Sequence, residues 1–363
     1  MKTYVTLFLL LLLSFTNAWP QDKGVWTAFF DADYKRGFKD ASGKVMIEPK
    51  FSGLTQAQKF DEIIAVMDAD YKMYYLLKNG KEIGRDSVWT FDTSLDCERE
   101  GLIKFCGKDG SVGMFNGNGK VAIPAVYNAL SSCRNGYIMA LKGAEKSYWH
   151  KQEEGGCNHW SWKGGTDCLI SPQNKVLVDD FNTESYIDFY SAQVSNGPSA
   201  EAVRVSYKTT DGNYLSFIDF NKQFELFLKQ EILANLTPQN IMAHSYSKII
   251  FWDDNDPGWT GQNSERFITE NFDALKKSLL EMKKPSAEHW ISIRDVIIGP
   301  DDMAAEFDAY LTNCGGLDTA KYPLMELIIN QEGKQFNQDY FQFLKTPEGY
   351  KLLSVTLRDG EEK

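Results

Sequence analysis

Short runs in which apolar and polar side chains alternate fill much of the chain before residue 250, and two of these runs match each other. They occupy residues 36–51 and 112–127 and align without a gap. The coinciding residues are Gly37 with Gly113, Asp40 with Asn116, Gly43-Lys44 with Gly119-Lys120, Val45 with Val121, Ile47 with Ile123, and Phe51 with Tyr127. A fixed offset that holds at so many positions indicates an internal repeat.

Each copy is predicted to be a β-hairpin. The apolar residues after the turn fall on alternate positions, as a half-buried strand requires. The turns contain Ser42-Gly43 and Asn118-Gly119. Glycine supplies the positive φ that mirror-image hairpin turns need. A proline and then an aromatic residue follow each turn, and the missing N–H of the proline would end the ladder pairing.

Fainter copies of the pattern continue along the chain. Residues 79–81 lie about midway between the clear copies, and residues 174–175 and 221–222 carry the same turn and lysine further on. A spacing of roughly forty residues is typical of a propeller blade or a β-solenoid rung. Residues 19–255 are therefore predicted to form a mainly β repeat domain, either propeller-like or a β-solenoid of hairpins.

The repeated residues resemble those of the WG-repeat family of Trp-Gly β repeats, over about residues 30–230 in a degenerate form. That pattern runs Trp-Gly-aromatic, Asp, Gly-Lys, an aliphatic strand, proline and an aromatic residue. Arg36 and Val112 stand where the family has tryptophan, and Pro124 lies one place earlier than Pro49. The resemblance implies a β-repeat binding or structural module with no shared catalytic residues.

The hydrophobic period changes after a turn-rich acidic stretch at residues 253–258, which we interpret as a linker rather than a calcium loop because the EF-hand glycine and closing glutamate are missing. Helices are predicted over residues 272–282, 285–293 and 301–311. Strands are predicted over residues 324–329, 340–344 and 351–357. Residues 256–363 are therefore expected to form a smaller α+β domain, with helices followed by a three-stranded antiparallel meander.

Residues 1–18 are predicted to be a signal peptide, with a basic start, an apolar run too short to span a bilayer, and small residues before a cleavage site near Ala18. No later stretch is apolar enough to cross a membrane. The formal charge of -11 argues against binding to nucleic acid or anionic lipid. The mature protein is therefore expected to be secreted or periplasmic.

The six cysteines suggest disulfides in an exported protein. We predict one bridge between Cys97 and Cys106, and a second between Cys157 and Cys168. A metal site is the competing interpretation of the second pair, because His150 and His159 lie in the same loop. The spacing matches no common zinc pattern, so the bridge is preferred and no metal or cofactor is predicted.

Aromatic residues cluster in the loop at residues 148–168. Tyr148, Trp149, Trp160 and Trp162, together with His159, form the predicted ligand-binding site. Such side chains could stack on a sugar or bury into a partner protein. The alternative is that they form a small satellite core beneath a glycine-rich loop.

Catalytic motifs are not visible in the sequence, which has no Gly-x-Ser-x-Gly elbow, His-Glu-x-x-His helix or phosphate loop. No catalytic residue is therefore predicted. The interpretation we favour is a binding or scaffold module for an unknown protein or glycan. The alternative is an extracytoplasmic hydrolase of glycan or peptide, with carboxylates converging in a cleft between the two domains.

Overall fold

The structure, a computed structural model, describes residues 24–148, 159–183, 185–253, 257–284, 288–330 and 338–357. The predicted signal peptide lies outside these residues. Within them the chain is mainly β, with many small sheets before residue 220 and one larger sheet after it. No described helix is both long enough and apolar enough to span a bilayer.

Four antiparallel three-stranded meanders follow one another along the chain. They begin at Trp26, Ile63, Leu102 and Ile138, at intervals of 37, 39 and 36 residues. The meander strands are β1 (Trp26–Phe30), β2 (Arg36–Lys39) and β3 (Val45–Phe51); β5 (Ile63–Met67), β6 (Met73–Leu77) and β7 (Glu82–Ile83); β10 (Leu102–Cys106), β11 (Val112–Asn116) and β12 (Val121–Tyr127); and β14 (Ile138–Lys142), β17 (Thr166–Ile170) and β18 (Val176–Val178). Short additions are β4 (Lys59–Phe60), β8 (Thr90–Phe91), β9 (Ser94–Leu95), β13 (Ala129–Leu130), β15 (Glu145–Tyr148) and β16 (Trp160–Lys163).

The hairpin turns of the two clear copies have the same geometry. In residues 40–44 and 116–120, the first N–H donates to the fifth carbonyl oxygen at 3.0 and 2.8 Å, and the first side chain accepts from the third and fifth N–H groups. Only the fourth residue has positive φ, at +85° in Gly43 and +71° in Gly119. These are three-residue loops closed by a left-handed residue, so the predicted mirror-image turns are wrong in type.

The first glycine of each copy lies where two backbones approach closely. A Cβ on Gly37 would come 2.7 Å from the carbonyl oxygen of Ile47, and one on Gly113 would come 2.6 Å from that of Ile123. Both distances are below ordinary contact, so no larger residue fits without movement. The equivalent surroundings of the two glycines confirm that the sequence match reflects a structural repeat.

The meanders stack face to face, and the hydrophobic clusters of this part of the chain lie between consecutive sheets. Strand β5 is buried at all five positions because it has a neighbour on both faces. Ile64 and Val66 share a cluster with the first meander, whereas Ile63, Ala65 and Met67 share one with the third. A further cluster joins the third and fourth meanders. Burial on both faces explains why these strands form continuous apolar runs.

A fifth small sheet follows the stack, in the strand order β19-β21-β20. Its strands are β19 (Ile187–Ser195), β20 (Arg204–Lys208) and β21 (Tyr214–Asp219). The predicted repeat turn at residues 221–222 is wrong, because it lies in helix α1 (Phe220–Phe227), where Asp219 caps the first N–H groups. The turn of this sheet is at residues 209–213 instead.

A six-stranded sheet in the order β23-β22-β27-β26-β25-β24 forms the rest of the described chain, with helices on it. Its strands are β22 (Ser245–Asp253), β23 (Gly258–Asn263), β24 (His289–Arg294), β25 (Leu324–Asn330), β26 (Gln338–Thr346) and β27 (Gly349–Thr356). The helices are α1, a π-helix (Leu228–Ile232), a short 3-10 turn (Leu233–Asn235), α2 (Pro238–Ala243), α3 (Ser264–Glu281) and a 3-10 helix (Asp301–Tyr310). Strands β25 to β27 confirm the predicted antiparallel meander.

Two predictions for this region are wrong. Asp253 and Gly258, the two ends of the expected linker, pair with each other across strands β22 and β23, so the predicted domain boundary divides two strands of one sheet. A helix was expected at residues 285–293, but the described residues of this segment form strand β24. Ile291 and Ile293 of that strand pack on the core at a period of two while Trp290 is exposed.

A disulfide between Cys97 and Cys314 joins the stack to the C-terminal sheet region, with Cα atoms 5.7 Å apart. The predicted bridge from Cys97 to Cys106 is therefore wrong, and Cys106 is a free thiol. Cys97 faces the turn at residues 312–316 instead, where the Gln58 N–H also donates to the Asn313 carbonyl at 2.7 Å. Such a long-range pairing has no signal in the cysteine spacing.

Candidate functional site

Strands β15 and β16 form a two-stranded antiparallel hairpin that projects from the fourth meander. It lies between β14 and β17, where the second meander has only the short turn at residues 68–72. The aromatic loop predicted from the sequence is therefore an insertion within the fourth meander, between its first and second strands, and not between two repeats. The described part of the hairpin ends at Tyr148 and resumes at His159, so predicted site residue Trp149 lies outside the described residues.

One face of this hairpin is aromatic. Cross-strand pairing places Tyr148 opposite Trp160 and Lys146 opposite Trp162, so all four side chains lie on the same side of the ribbon. The two indole rings meet edge to face with centroids 4.7 Å apart. The Lys146 ammonium lies 4.3 Å from the Trp160 ring centroid. We call these four residues the aromatic face.

The aromatic face is accessible. Tyr148 is 43% exposed and Trp160 is 38% exposed, and neither belongs to the hydrophobic clusters of the described residues. Trp162 is half-buried, and His159 is exposed at the start of β16. These positions favour a binding surface over the satellite core that the sequence left open, because a core would remove the rings from water.

Cys168, at the base of the insertion, points away from the aromatic face. It is a free, buried thiol in the cluster between the third and fourth meanders, with its Sγ 3.4 Å from the carbonyl oxygen of Ala140. Burial raises the pKa of the Cys168 thiol. The predicted bridge to Cys157 is therefore wrong. His150 and Cys157 lie outside the described residues, and those residues contain no cluster of three or more acidic, histidine or cysteine side chains able to hold a metal.

Successive antiparallel meanders with shared turn geometry define a β-repeat protein. A family model described as the WG containing repeat matches residues 113–144, which span β11 to β14. The match covers the second of the two clear copies and supports the resemblance seen in the sequence. No curated protein matches the chain.

A buried carboxyl group is the strongest observation bearing on catalysis. Glu98 is only 3% exposed and lies where the stack meets the C-terminal region. The Gly101 N–H donates to its Oε1 at 2.6 Å, and the Asn313 side-chain amide donates to its Oε2 at 3.1 Å. Burial, with smaller contributions from the charges of Asp61 and Glu62, raises the pKa of Glu98 to about 7. Because both oxygens are occupied and shielded, Glu98 has no access to a substrate.

Glu98 is expected to make stability depend on pH. Its pKa in the folded protein, about 7, lies above the ordinary 4.5, so the folded state binds more protons between these values. The free energy of unfolding should therefore fall as pH rises from 4.5 to 7, by about 2–3 kcal/mol from this group. Urea unfolding at pH 5 and pH 8 should show this loss in the wild type and much less of it in Glu98→Gln.

The exposed Glu48 in β3 provides the control, because Glu48→Gln should keep the wild-type pH dependence. An equal loss of stability between pH 5 and pH 8 in wild type and Glu98→Gln would show that Glu98 is not the group responsible.

A cavity that the sequence did not predict lies beside the fifth sheet. It has a volume of about 330 Å³ and is lined by Arg134, Phe189 and Phe220, among others. Arg134 lies in a turn between β13 and β14 with no motif around it. Only the packing of distant segments reveals this cavity.

Proposed function

We propose that the protein is an exported binding or scaffold protein whose aromatic face docks a partner protein. The observation that carries the proposal is the pair of exposed rings, Tyr148 and Trp160, beside the half-buried Trp162 on a hairpin that the repeat does not require. Tyrosine and tryptophan dominate the energetic centres of protein interfaces. The signal peptide predicted at residues 1–18 and the Cys97–Cys314 disulfide support an oxidising, extracytoplasmic location.

A protein partner suits this geometry better than a glycan. Sugar rings stack on flat, open aromatic faces, whereas the two indoles are nearly perpendicular, with an interplanar angle of 74°. Lys146 also covers one face of the Trp160 ring. An edge-to-face pair with an adjacent cation fits a side chain or loop that inserts from a partner surface.

We infer that the C-terminal region fixes the first and fifth sheets relative to one another, which would support this role. The Lys59 ammonium of the first sheet lies 3.2 Å from the Asp308 carboxylate, and Asp188 of the fifth sheet pairs with Lys345 at 2.8 Å. The C-terminal region thus contacts both ends of the stack. A scaffold fastened in this way would present β15 and β16 in a fixed orientation.

Removing the two indoles tests the proposal. Trp160→Ala with Trp162→Ala should weaken capture of the protein partner at least tenfold, measured by surface plasmon resonance with the partner isolated on the immobilised wild-type protein. The free energy of unfolding should change by less than about 1 kcal/mol, because the rings contribute little to the core.

Trp290→Ala provides the matched control, because Trp290 is 41% exposed on a strand of the other sheet and should keep full capture. A loss of more than about 2 kcal/mol in the double variant would indicate a satellite core instead. Binding to a glycan array that depends on Trp160 and Trp162, without protein capture, would assign the face to sugars.

A further inference from the structure

The cavity beside the fifth sheet is built from segments far apart in the chain. Arg134 comes from the turn after β13, Phe189 from β19, and Phe220 from the start of α1. Thr319 and Ala320 close it from the segment that precedes β25. The cavity therefore lies at the junction of the stack and the C-terminal region, and no residue of the aromatic face lines it.

Arg134 is a cation without a hydrogen-bonding partner in the described part of the chain. Its Nε is fully buried and makes no hydrogen bond there. The carboxylate whose charge acts on it is that of Asp318, whose Oδ1 already accepts a hydrogen bond from Arg99. Burial lowers the pKa of Arg134, and the positive charge of Arg99 lowers it further, yet an arginine stays charged in a protein.

Arg134 as a whole is half-buried, but its buried Nε has no acceptor in the described part of the chain, which is costly. Taking a charge out of water is unfavourable unless an opposite charge and hydrogen bonds compensate for it, so buried charges are nearly always paired. Arg134 lines the cavity, and an anion inside could supply the missing acceptor in the two-pronged geometry that guanidinium favours.

The other walls describe the rest of the ligand. Phe189 and Phe220 are buried, and the Arg134 guanidinium lies 5.9 Å from the Phe189 ring centroid. Tyr186 lines the rim and is 59% exposed, which leaves an entrance. The Thr319 hydroxyl also lines the cavity, and no hydrogen bond to it is formed within the described ranges. One cation among mostly apolar lining residues, with hydroxyl groups at Ser185 and Thr319, fits an anion with an apolar body.

We propose that this cavity binds a small organic carboxylate with an aromatic or branched apolar body. A volume of about 330 Å³ has room for roughly ten non-hydrogen atoms, taking about 30 Å³ for each water-sized group. A carboxylate matches a single guanidinium in charge and shape. Phosphate would leave a second charge without a cation among apolar walls.

Phenylacetate is the probe, and its neutral isostere phenylacetamide is the control ligand. Saturation-transfer NMR titrations of the purified protein should show binding of phenylacetate and at least tenfold weaker binding of phenylacetamide. Arg134→Met should weaken phenylacetate binding at least tenfold, the size expected for one lost charge-assisted contact. Arg266→Met, which removes an exposed arginine on α3, should leave it unchanged.

Three outcomes would overturn the proposal. Equal affinity for phenylacetate and phenylacetamide, or unchanged phenylacetate binding by Arg134→Met, would show that Arg134 recognises no carboxylate. Displacement of phenylacetate by inorganic phosphate at lower concentrations would make phosphate the ligand.

The stability of Arg134→Met separates this role from a structural one. Because the cation is unpaired without ligand, its replacement by an apolar side chain of similar length should leave the urea midpoint unchanged or raise it. A clear fall in that midpoint would show that Arg134 supports the fold, and would overturn the assignment of a ligand-binding role.

Discussion

Loss of the Cys97–Cys314 disulfide is expected to lower the free energy of unfolding by about 3–5 kcal/mol. The bridge joins residues separated by 217 positions, and closing so long a loop restricts the unfolded chain strongly. It also fastens the turn at residues 312–316 to the stack beside the Glu98 carboxyl. Urea unfolding of the double variant Cys97→Ser with Cys314→Ser, followed by tryptophan fluorescence and circular dichroism, measures the loss.

Cys106→Ser is the control, since this thiol is free and half-buried and should shift the midpoint little. Adding reductant to the wild type should reproduce the double variant. If the bridge holds the two regions together, the two optical transitions should separate in the double variant. A change below about 1 kcal/mol with coincident transitions would show that noncovalent contacts alone hold the junction.

Gly113→Ala is expected to cost about 2–4 kcal/mol, although it adds only one methyl group. The new Cβ would lie 2.6 Å from the Ile123 carbonyl oxygen and 2.7 Å from the Ala125 nitrogen. Both atoms belong to the backbone of the neighbouring strand, so β11 and β12 would have to move apart. The measurement is the urea midpoint, combined with amide exchange at residues 121–127.

Two other glycines separate the effect of close backbone approach from the effect of positive φ on the free energy of unfolding. Gly119→Ala should cost only about 1 kcal/mol. The φ of +71° is unfavourable for alanine, but the atom nearest to the new Cβ is a side-chain methyl group, which can move more easily than backbone. Gly197→Ala should be nearly neutral, since a Cβ there meets nothing within 4 Å. Equal costs at Gly113 and Gly197 would contradict the close approach of β11 and β12.

The repeat was predictable because its causes are local. Turn residues such as Gly43 and Gly119, and the alternation that follows them, act within a few positions of the chain. The aromatic hairpin was predictable as a cluster for the same reason. The exposure of this hairpin could not be predicted, because whether Trp160 faces water or another part of the protein depends on how the fourth meander packs against its neighbouring sheets.

Errors arose where a long-range contact overrode a local signal. The acidic stretch at residues 253–258 has linker composition, yet its two end residues, Asp253 and Gly258, pair with each other across β22 and β23 of one sheet. Residues 221–222 follow the turn pattern, but Asp219 caps a helix there. Trp290 and Ile293 have helical spacing, which predicted a helix. In the structure their segment is the edge strand β24, because it pairs with β25.

The sequence by itself determined that this protein is a repeat of short hairpins followed by a helix-and-strand region, since turns and periodicity depend on neighbouring residues. Only the tertiary structure decided which cysteine pairs with Cys97, to which sheet β22 belongs, and that a cavity forms around Arg134. Each of these depends on bringing together residues tens to hundreds of positions apart. Burial and packing energies select such contacts, and no local pattern encodes them.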